Sequence, residues 1–363
     1  MNILVVAFEY PPFPGGQATY AVEMARALHA MGHTVRVLAP AYEAPPPDDG
    51  FPVVTTLAHQ RLDLAALRAT WRMLRQRRDE VILCCDIRAS LLLAMLPVQG
   101  ARVLAMYHGG EVLHGRDNAR YRAICRLSAF RKQSLVANSR YSADLARQVI
   151  GRAVRAIPLG VSPFWLATAQ PPQSPLLQAA LAGRHTVFCL AARLERRKGH
   201  LEVFQSFLRL GLHRDPGIVF VFSGKAIDPD YHAEIREWLA RYPQSFVHVG
   251  ELSREDVRAM YAASTALLLF ATPQPRHIEG FGLVITEAAA QGCPVLTTRV
   301  GGIPDAVDDG ISGLVVAPQD SMVVDVALKR FLQEPALRVR LAAGARARAV
   351  RDTWADVARK TLE

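Results

Sequence analysis

The sequence predicts an α/β protein of two successive doubly wound modules, each a parallel sheet with helices on both faces. Three observations predict it. The chain has 363 residues, and at roughly 150 residues per domain that is room for two cores. Short apolar runs of β-type residues alternate with stretches of helical periodicity, the pattern of parallel strands covered on both faces. One interval, residues 162–185 with Pro163, Pro171, Pro172 and Pro175, interrupts the alternation near the middle and reads as a linker.

In order, Met1–Phe8 is a buried strand that ends at Pro11-Pro12 and the Pro14-Gly15-Gly16 turn, and Thr19–Met31 is a helix closed by Gly32. Strand Thr34–Ala39 follows, then an amphipathic basic helix near Leu64–Arg77, strand Val81–Cys85 and helix Ala89–Leu96. Strand Arg102–Tyr107, a helix near Asn118–Arg131, strand Ser134–Ala137 and a helix near Ser142–Ile150 complete the first module. In the second, strands Thr186–Ala191, Ile218–Phe222, Phe246–Val249, Leu267–Phe270, Val295–Thr298 and Leu314–Val316 alternate with helices. These helices are Leu201–Leu210, Tyr231–Ala240, Glu255–Ala262, Val284–Gln291 and one near Val323–Leu332, and Ala336–Leu362 reads as one long helical stretch.

Composition excludes several classes. Half the residues are hydrophobic and 21% are charged, so disordered, collagenous and disulfide-scaffold classes are out. No run approaches the roughly 18 apolar residues of a membrane span. The N-terminus lacks the basic start of a signal peptide. Cys84, Cys85, Cys125, Cys189 and Cys293 form no CxxC pair, so neither a disulfide framework nor a zinc site is suggested and a reduced, cytoplasmic chain is expected. The net charge of +10 is uneven: residues 1–165 carry 20 basic and 12 acidic side chains, residues 166–363 carry 23 and 21.

Five segments could carry chemistry. Glu279-Gly280-Phe281-Gly282-Leu283-Val284-Ile285-Thr286-Glu287 places two carboxylates around a Gly-x-Gly turn that opens a helix. The turn lets backbone N–H groups approach a phosphate, and the carboxylates suit sugar or ribose hydroxyls; the plain alternative is an acidic helix start. Arg193-Leu-Glu-Arg-Arg-Lys198, after a strand, suits a diphosphate, or is a solvated basic turn. Gly15-Gly16 follows the first strand but is neither a dinucleotide fingerprint nor a P-loop. His108, at a strand end before Gly109-Gly110-Glu111, could donate to a sugar hydroxyl or act as acid or base, or is an ordinary loop histidine. Asp228-Pro-Asp230 spells a metal-binding Asp-x-Asp but reads as a helix cap, and no other metal cluster is apparent.

Together these segments resemble the family 4 glycosyltransferases, retaining enzymes of the GT-B architecture. Glu279…Glu287 matches the family's E-x7-E element, Arg193 and Lys198 its diphosphate-binding pair, Gly15-Gly16 its glycine loop, and Tyr107-His108-Gly109 its strand-end histidine. Asn138-Ser139, Pro158-Leu159-Gly160-Val161, Gly301-Gly302-Ile303-Pro304-Asp305 and Asp309-Gly310-Ile311-Ser312-Gly313 support the match, with Leu159 and Asp305 standing where Asn and Glu are usual. The resemblance implies Rossmann-like domains facing a central cleft. The acceptor-side domain would be residues 1–165 with 345–363 packing back on it; the donor domain would be residues 166–344, with hinges near 165 and 345.

The resemblance also implies a nucleotide-sugar donor, UDP-sugar first and GDP-sugar as the alternative, transferred with retention and no cofactor or metal. Arg193 and Lys198 would neutralise the leaving diphosphate, helped by backbone amides at Gly16 and at Gly280, Phe281, Gly282 and Leu283. Glu279 and His108 would hold the donor sugar and Glu287 the ribose. Ser223-Gly224-Lys225 and Gly250-Glu251-Leu252 would wall the base. The basic first half suits a glycan or lipid-linked acceptor and a peripheral position on an anionic membrane surface. Arg68, Arg72, Arg75 and Arg78 interleave there with Leu67, Trp71 and Leu74, and Arg116, Arg120, Arg122, Arg126, Arg131 and Lys132 form a second run; solvated helix faces are the plain alternative. Competing readings are a GT-B epimerase, a sugar-nucleotide scaffold without catalysis, and a nucleic-acid binder. The last has no recognition motif here and is not expected.

Overall fold

The computed structural model describes residues 1–76, 79–98, 100–129 and 133–363; Arg77, Arg78, Arg131 and Lys132 of the basic runs lie outside the described residues. Two compact units are formed, Met1–Gly160 with Thr353–Glu363, and Val161–Asp352.

The first unit holds a seven-stranded sheet: β1 Asn2–Val6, β2 Thr34–Pro40, β3 Val53–Leu57, β4 Val81–Cys84, β5 Arg102–Tyr107, β6 Ser134–Ala137 and β7 Arg155–Ala156. All neighbours pair parallel, in the order β3-β2-β1-β4-β5-β6-β7. Strands β1 and β4 are buried along nearly their whole length, which is why they read as continuous apolar runs. Their core includes Leu4, Val6, Leu38, Ile82, Leu92 and Leu93.

The second unit holds six parallel strands: β8 Thr186–Ala191, β9 Ile218–Ser223, β10 Phe246–His248, β11 Ala266–Leu269, β12 Val295–Thr298 and β13 Gly313–Val316, ordered β10-β9-β8-β11-β12-β13. Its core is aromatic on one side, with Phe204 and Phe246 rings 4.3 Å apart.

Both sheets reverse direction once, between β1 and β4 and between β8 and β11. Ligands of open parallel sheets bind beyond the strand C-termini at such a reversal. The segments that leave β8 and β11 carry Arg193–Lys198 and Glu279, and those that leave β1 and β5 carry Gly15-Gly16 and His108.

Several elements differ from expectation. The linker interval contains two short helices, Pro163–Leu166 and Pro175–Leu181, each with proline in its first turn, where its missing N–H costs nothing. Trp165 of the first packs near Tyr261 at 6.0 Å, so this helix belongs to the second unit and the division falls at 160/161 rather than 165/166. The long C-terminal stretch is two helices, Pro335–Arg351 and Trp354–Leu362. Thr353 caps the second, its side chain receiving the Asp356 N–H while Asp356 receives the Thr353 N–H. The chain therefore crosses at Thr353, not at 345. The last helix packs on helix Gly16–Ala30, Trp354 edge-on to Tyr20 at 5.9 Å. A Cβ at Gly160 would lie 2.3 Å from the Thr353 carbonyl carbon, so only glycine fits beneath that cap. The helix expected near Asn118–Arg131 is present as Ala119–Ser128, capped by Asn118, and a further helix, Gly110–Asp117, precedes it where a loop was expected after His108.

Candidate active site

The basic turn after β8 folds inward because it is stitched on both sides. Ala192 N donates to Ser223 O at 2.9 Å, and Leu194 N to Lys225 O at 2.9 Å, which carries Arg193 alongside the segment after β9. Residues Arg196–Lys198 form a short 3-10 turn closed by Gly199 at φ 75°. A Cβ on Gly199 would lie 2.0 Å from the Phe270 carbonyl oxygen, so the turn rests directly on the end of β11. Its tight winding sends adjacent side chains in different directions. Arg196 leaves outward to Glu234, whereas Arg197 and Lys198 point in.

The result is a continuous ionic chain. Arg193 Nε lies 2.8 Å from Glu195 Oε1, Arg197 pairs with both Glu195 and Glu279, and Lys198 Nζ donates to Glu279 Oε2 at 2.7 Å. Lys198 and Glu279 are buried, while the Arg193 side chain is 54% exposed. Burial alone would raise the Glu279 carboxyl, but Lys198 and Arg197 outweigh it and hold the group ionised, below the usual carboxylate range. Burial pulls Lys198 below the usual lysine range, and the Glu279 charge opposes that pull.

Glu279 is also fixed by its backbone. Its carbonyl accepts from Gly302 N at 2.8 Å, and Gly301, at φ 56°, passes so close that a Cβ would lie 2.3 Å from the Glu279 carbonyl oxygen. Beyond it Gly282, left-handed at φ 92°, starts helix Leu283–Ala290 with no side-chain cap. The third amide, of Ile285, turns back to the Gly282 carbonyl at 2.9 Å, and the first amides of such a helix suit a ligand or water. Phe281 is buried and Gly280 and Leu283 half-buried, while Glu287 sits one turn into the helix, half-buried. Ser223, Gly224, Gly250 and Leu252 form one knit. Ser223 Oγ donates to Gly250 O at 2.9 Å and accepts from Leu252 N at 3.3 Å, and Gly224 N donates to Gly250 O at 2.9 Å.

In the first unit Gly15 caps and Gly16 opens helix Gly16–Ala30. His108 is buried edge-on to Tyr20 at 5.2 Å, and its Nε2 lies 2.8 Å from the Cys85 carbonyl. Burial lowers its pKa to about 4, so the ring is neutral, Nε2 carries the hydrogen, and Nδ1 keeps its lone pair. Glu111 braces this edge by accepting from His108 N at 3.0 Å and Ile87 N at 3.2 Å. Burial, then the charge of Asp86, push its pKa up to about 8.

Among the described residues, no group of three or more His, Cys, Asp or Glu is placed to hold a metal. Asp228 accepts from Tyr231 N at 3.1 Å, so it is a helix cap, as its flanking proline suggests. Three residues escaped the sequence reading. Arg197 and Glu195 lie inside the quoted turn, but only the 3-10 winding reveals which cations turn inward. Glu111 lies inside the quoted His-Gly-Gly-Glu, and its role depends on a backbone N–H from another strand's end.

Comparison with known proteins identifies the family. The family model described as Glycosyltransferase Family 4 covers residues 14–163, and that described as Glycosyl transferases group 1 covers residues 178–348. This chain is a family 4 glycosyltransferase. Among its relatives, the D-inositol 3-phosphate glycosyltransferase of Frankia alni is 46% identical over 102 residues, 28% of this chain and 24% of that protein. The glycogen synthase of Mycobacterium tuberculosis (strain H37Rv) is 26% identical over all of this glycosyltransferase and 94% of its own length. The Anabaena protein HepE, solved in complex with UDP, superposes with a TM-score of 0.78 at 19% identity, covering 100% of this chain and 98% of that one. The GT-B fold of two parallel-sheet α/β units is therefore shared.

Proposed function

We propose that this glycosyltransferase moves a sugar, with retention and without a metal, from a nucleotide-diphosphate sugar to a hydroxyl of a glycan or lipid-linked acceptor. UDP-sugar is the preferred donor and GDP-sugar the alternative. The observation that carries the reading is the Arg193–Glu195–Arg197–Glu279–Lys198 chain at the sheet reversal. Three cations held at one strand end, with helix-leading amides on the adjoining loop, can neutralise a leaving diphosphate without a divalent ion.

In this reading the bond from sugar C1 to the diphosphate oxygen breaks as the acceptor oxygen bonds to C1 on the same face, and the acceptor proton passes to the departing phosphate. Arg193, Arg197 and Lys198 take up the growing phosphate charge. Glu279 turns from its cations to the sugar hydroxyls, Glu287 takes the ribose, and the Ser223-Gly224 and Gly250–Leu252 knit takes the base. Gly15, Gly16 and His108 of the first unit are assigned to the diphosphate and the sugar, with the neutral imidazole serving as a hydrogen-bond partner rather than as a cation.

The acceptor is assigned to the basic first unit. In helix Leu64–Gln76, Leu67 and Leu74 pack against the core, so the outward face carries Arg68, Arg72 and Arg75 with exposed Leu64 and Trp71. That face supports contact with an anionic membrane surface or acidic acceptor. Arg122 and Arg126 instead donate to the carbonyls of Gly115 and Val149 at 2.8 and 3.3 Å and act in the fold. Among the described residues, no helix is long and apolar enough to cross a membrane.

The test is a panel of UDP-, GDP- and ADP-sugars with glycan acceptors in EDTA, following the product's anomeric configuration by NMR. Retained configuration and activity in EDTA support the reading. Epimer formation without an acceptor, inversion, or loss of activity in EDTA would reject the corresponding part.

A further inference from the structure

We propose that the second unit carries a regulatory site for a neutral, polyhydroxylated small molecule, a mono- or disaccharide, in a cavity beside the ionic chain and distinct from it. The cavity holds about 430 Å³ and opens between helix His200–Arg209, the loop that leaves β11, and the start of helix Ser321–Gln333. Of residues 193–198 only Arg196 reaches it, and neither Glu279 nor Glu287 does. That volume lies in the range of small-ligand sites, about 300–1,000 Å³.

Its chemistry selects the occupant. The two arginines at its wall are already neutralised, Arg196 by Glu234, and Arg209 by Asp325 through Nε at 2.6 Å and Nη2 at 2.9 Å. Asp320 Oδ1 accepts from Val323 N at 3.1 Å, and the carboxylate adds negative charge to the wall. An anion would therefore gain little. Glu202 is different: its Oε2 is buried and meets no partner in the protein. Such an atom calls for a donor. Gln205, Thr272, Gln274, Gln319 and Ser321 line the same cavity with groups that both donate and accept, which matches hydroxyls spread around a ring. Gln319 also holds φ 63°, a left-handed backbone that costs a side-chain-bearing residue about 1 kcal/mol or more and is concentrated at ligand sites.

The wall of the cavity touches the turn that holds the ionic chain. Gln274 Nε2 donates to Thr272 Oγ1 at 3.2 Å, and Thr272 in turn donates from N to Arg197 O at 3.2 Å and from Oγ1 to Arg196 O at 3.4 Å. An occupant engaging Thr272 and Gln274 steadies residues 196–198 and tightens donor binding several-fold, within the usual span of allosteric coupling of about 5–150-fold. This coupling rests on the donor-site reading above; the binding does not.

The experiment uses the full chain without donor. Glucose, galactose, trehalose, sucrose, myo-inositol and glucose 6-phosphate are titrated by calorimetry and thermal shift. At least one neutral compound is expected to bind and raise Tm by about 2 °C or more at saturation, with glucose 6-phosphate no better. Lys198→Ala should keep that binding, and Gln205→Leu/Gln274→Leu should lose it. Gln319→Gly, which relieves the left-handed backbone, is a second variant should the double one fold poorly, and it should weaken binding. Absence of binding by every neutral compound overturns the proposal. So does preference for the phosphorylated sugar, or binding lost in Lys198→Ala but kept in the pocket variants. Pocket-dependent binding with no nucleotide-sugar affinity would remove the coupling and the donor reading while leaving the site.

Discussion

Replacing Glu279 by Gln should separate donor grip from catalysis. Without donor, the Glu279 carboxylate neutralises Lys198, 2.7 Å away, and Arg197 beside it. On the proposed reading, a diphosphate takes those cations from Glu279. Unit charges about 4 Å apart interact by about 4 kcal/mol at an effective dielectric of about 20. Release of a third of that, about 1.4 kcal/mol, tightens UDP roughly tenfold. The same change leaves a buried ammonium without its main counter-ion. Breaking a buried pair costs about 3–5 kcal/mol. The variant should therefore melt earlier, bind UDP more tightly by calorimetry, and transfer sugar at least about a hundredfold more slowly. Unchanged or weaker UDP binding would refute the idea that Glu279 competes with the diphosphate.

Lys198→Ala should abolish most transfer, checked by initial rates, and wild-type turnover would remove its role. Gly301→Ala places a Cβ 2.3 Å from the Glu279 carbonyl oxygen in a left-handed backbone, so kcat should fall about tenfold or more while the circular dichroism spectrum persists. Glu111 sits at about 8 in the fold against 4.5 ordinarily. Its contribution to stability is thus full below pH about 4.5 and is lost as pH rises through about 8, so urea midpoints should fall across that window and fall less in Glu111→Gln. Thr353→Ala removes the cap of the last helix and should cost about 1 kcal/mol in urea unfolding with little change in kcat.

Much of this was readable because buried parallel strands leave an apolar signature: β1, β4, β8 and β11 are continuous hydrophobic runs, and the glycine and acidic residues at their ends fall where the fold puts a ligand. Strand β3 escaped because it is a short edge strand in which only Leu57 is buried, the rest alternating between half-buried and exposed, so VVTTL lacks the continuous apolar run that marked the other strands. The break at Thr353 was encoded in Thr-x-x-Asp, but the Ala/Arg-rich periodicity on both sides hid it. In the candidate site, Arg193, Lys198 and Glu279 were singled out from the sequence and the structure links them in one ionic chain, whereas their pairing was not legible. It depends on a 3-10 turn held against the end of β11 and on a glycine loop some hundred residues away. The basic helix misled in part, since Leu67 and Leu74 serve the core rather than the outer face.

On the proposed reading, cations at the end of β8 grip a nucleotide diphosphate without a divalent ion. Calorimetric titration of UDP in EDTA into the wild type and into Arg193→Ala/Lys198→Ala tests it most directly. Wild-type binding is expected, weakening at least about a hundredfold in the double variant, since each charge-assisted contact contributes roughly 1.5–3 kcal/mol. Equal affinity in both proteins, or wild-type binding that appears only when magnesium is added, would contradict it.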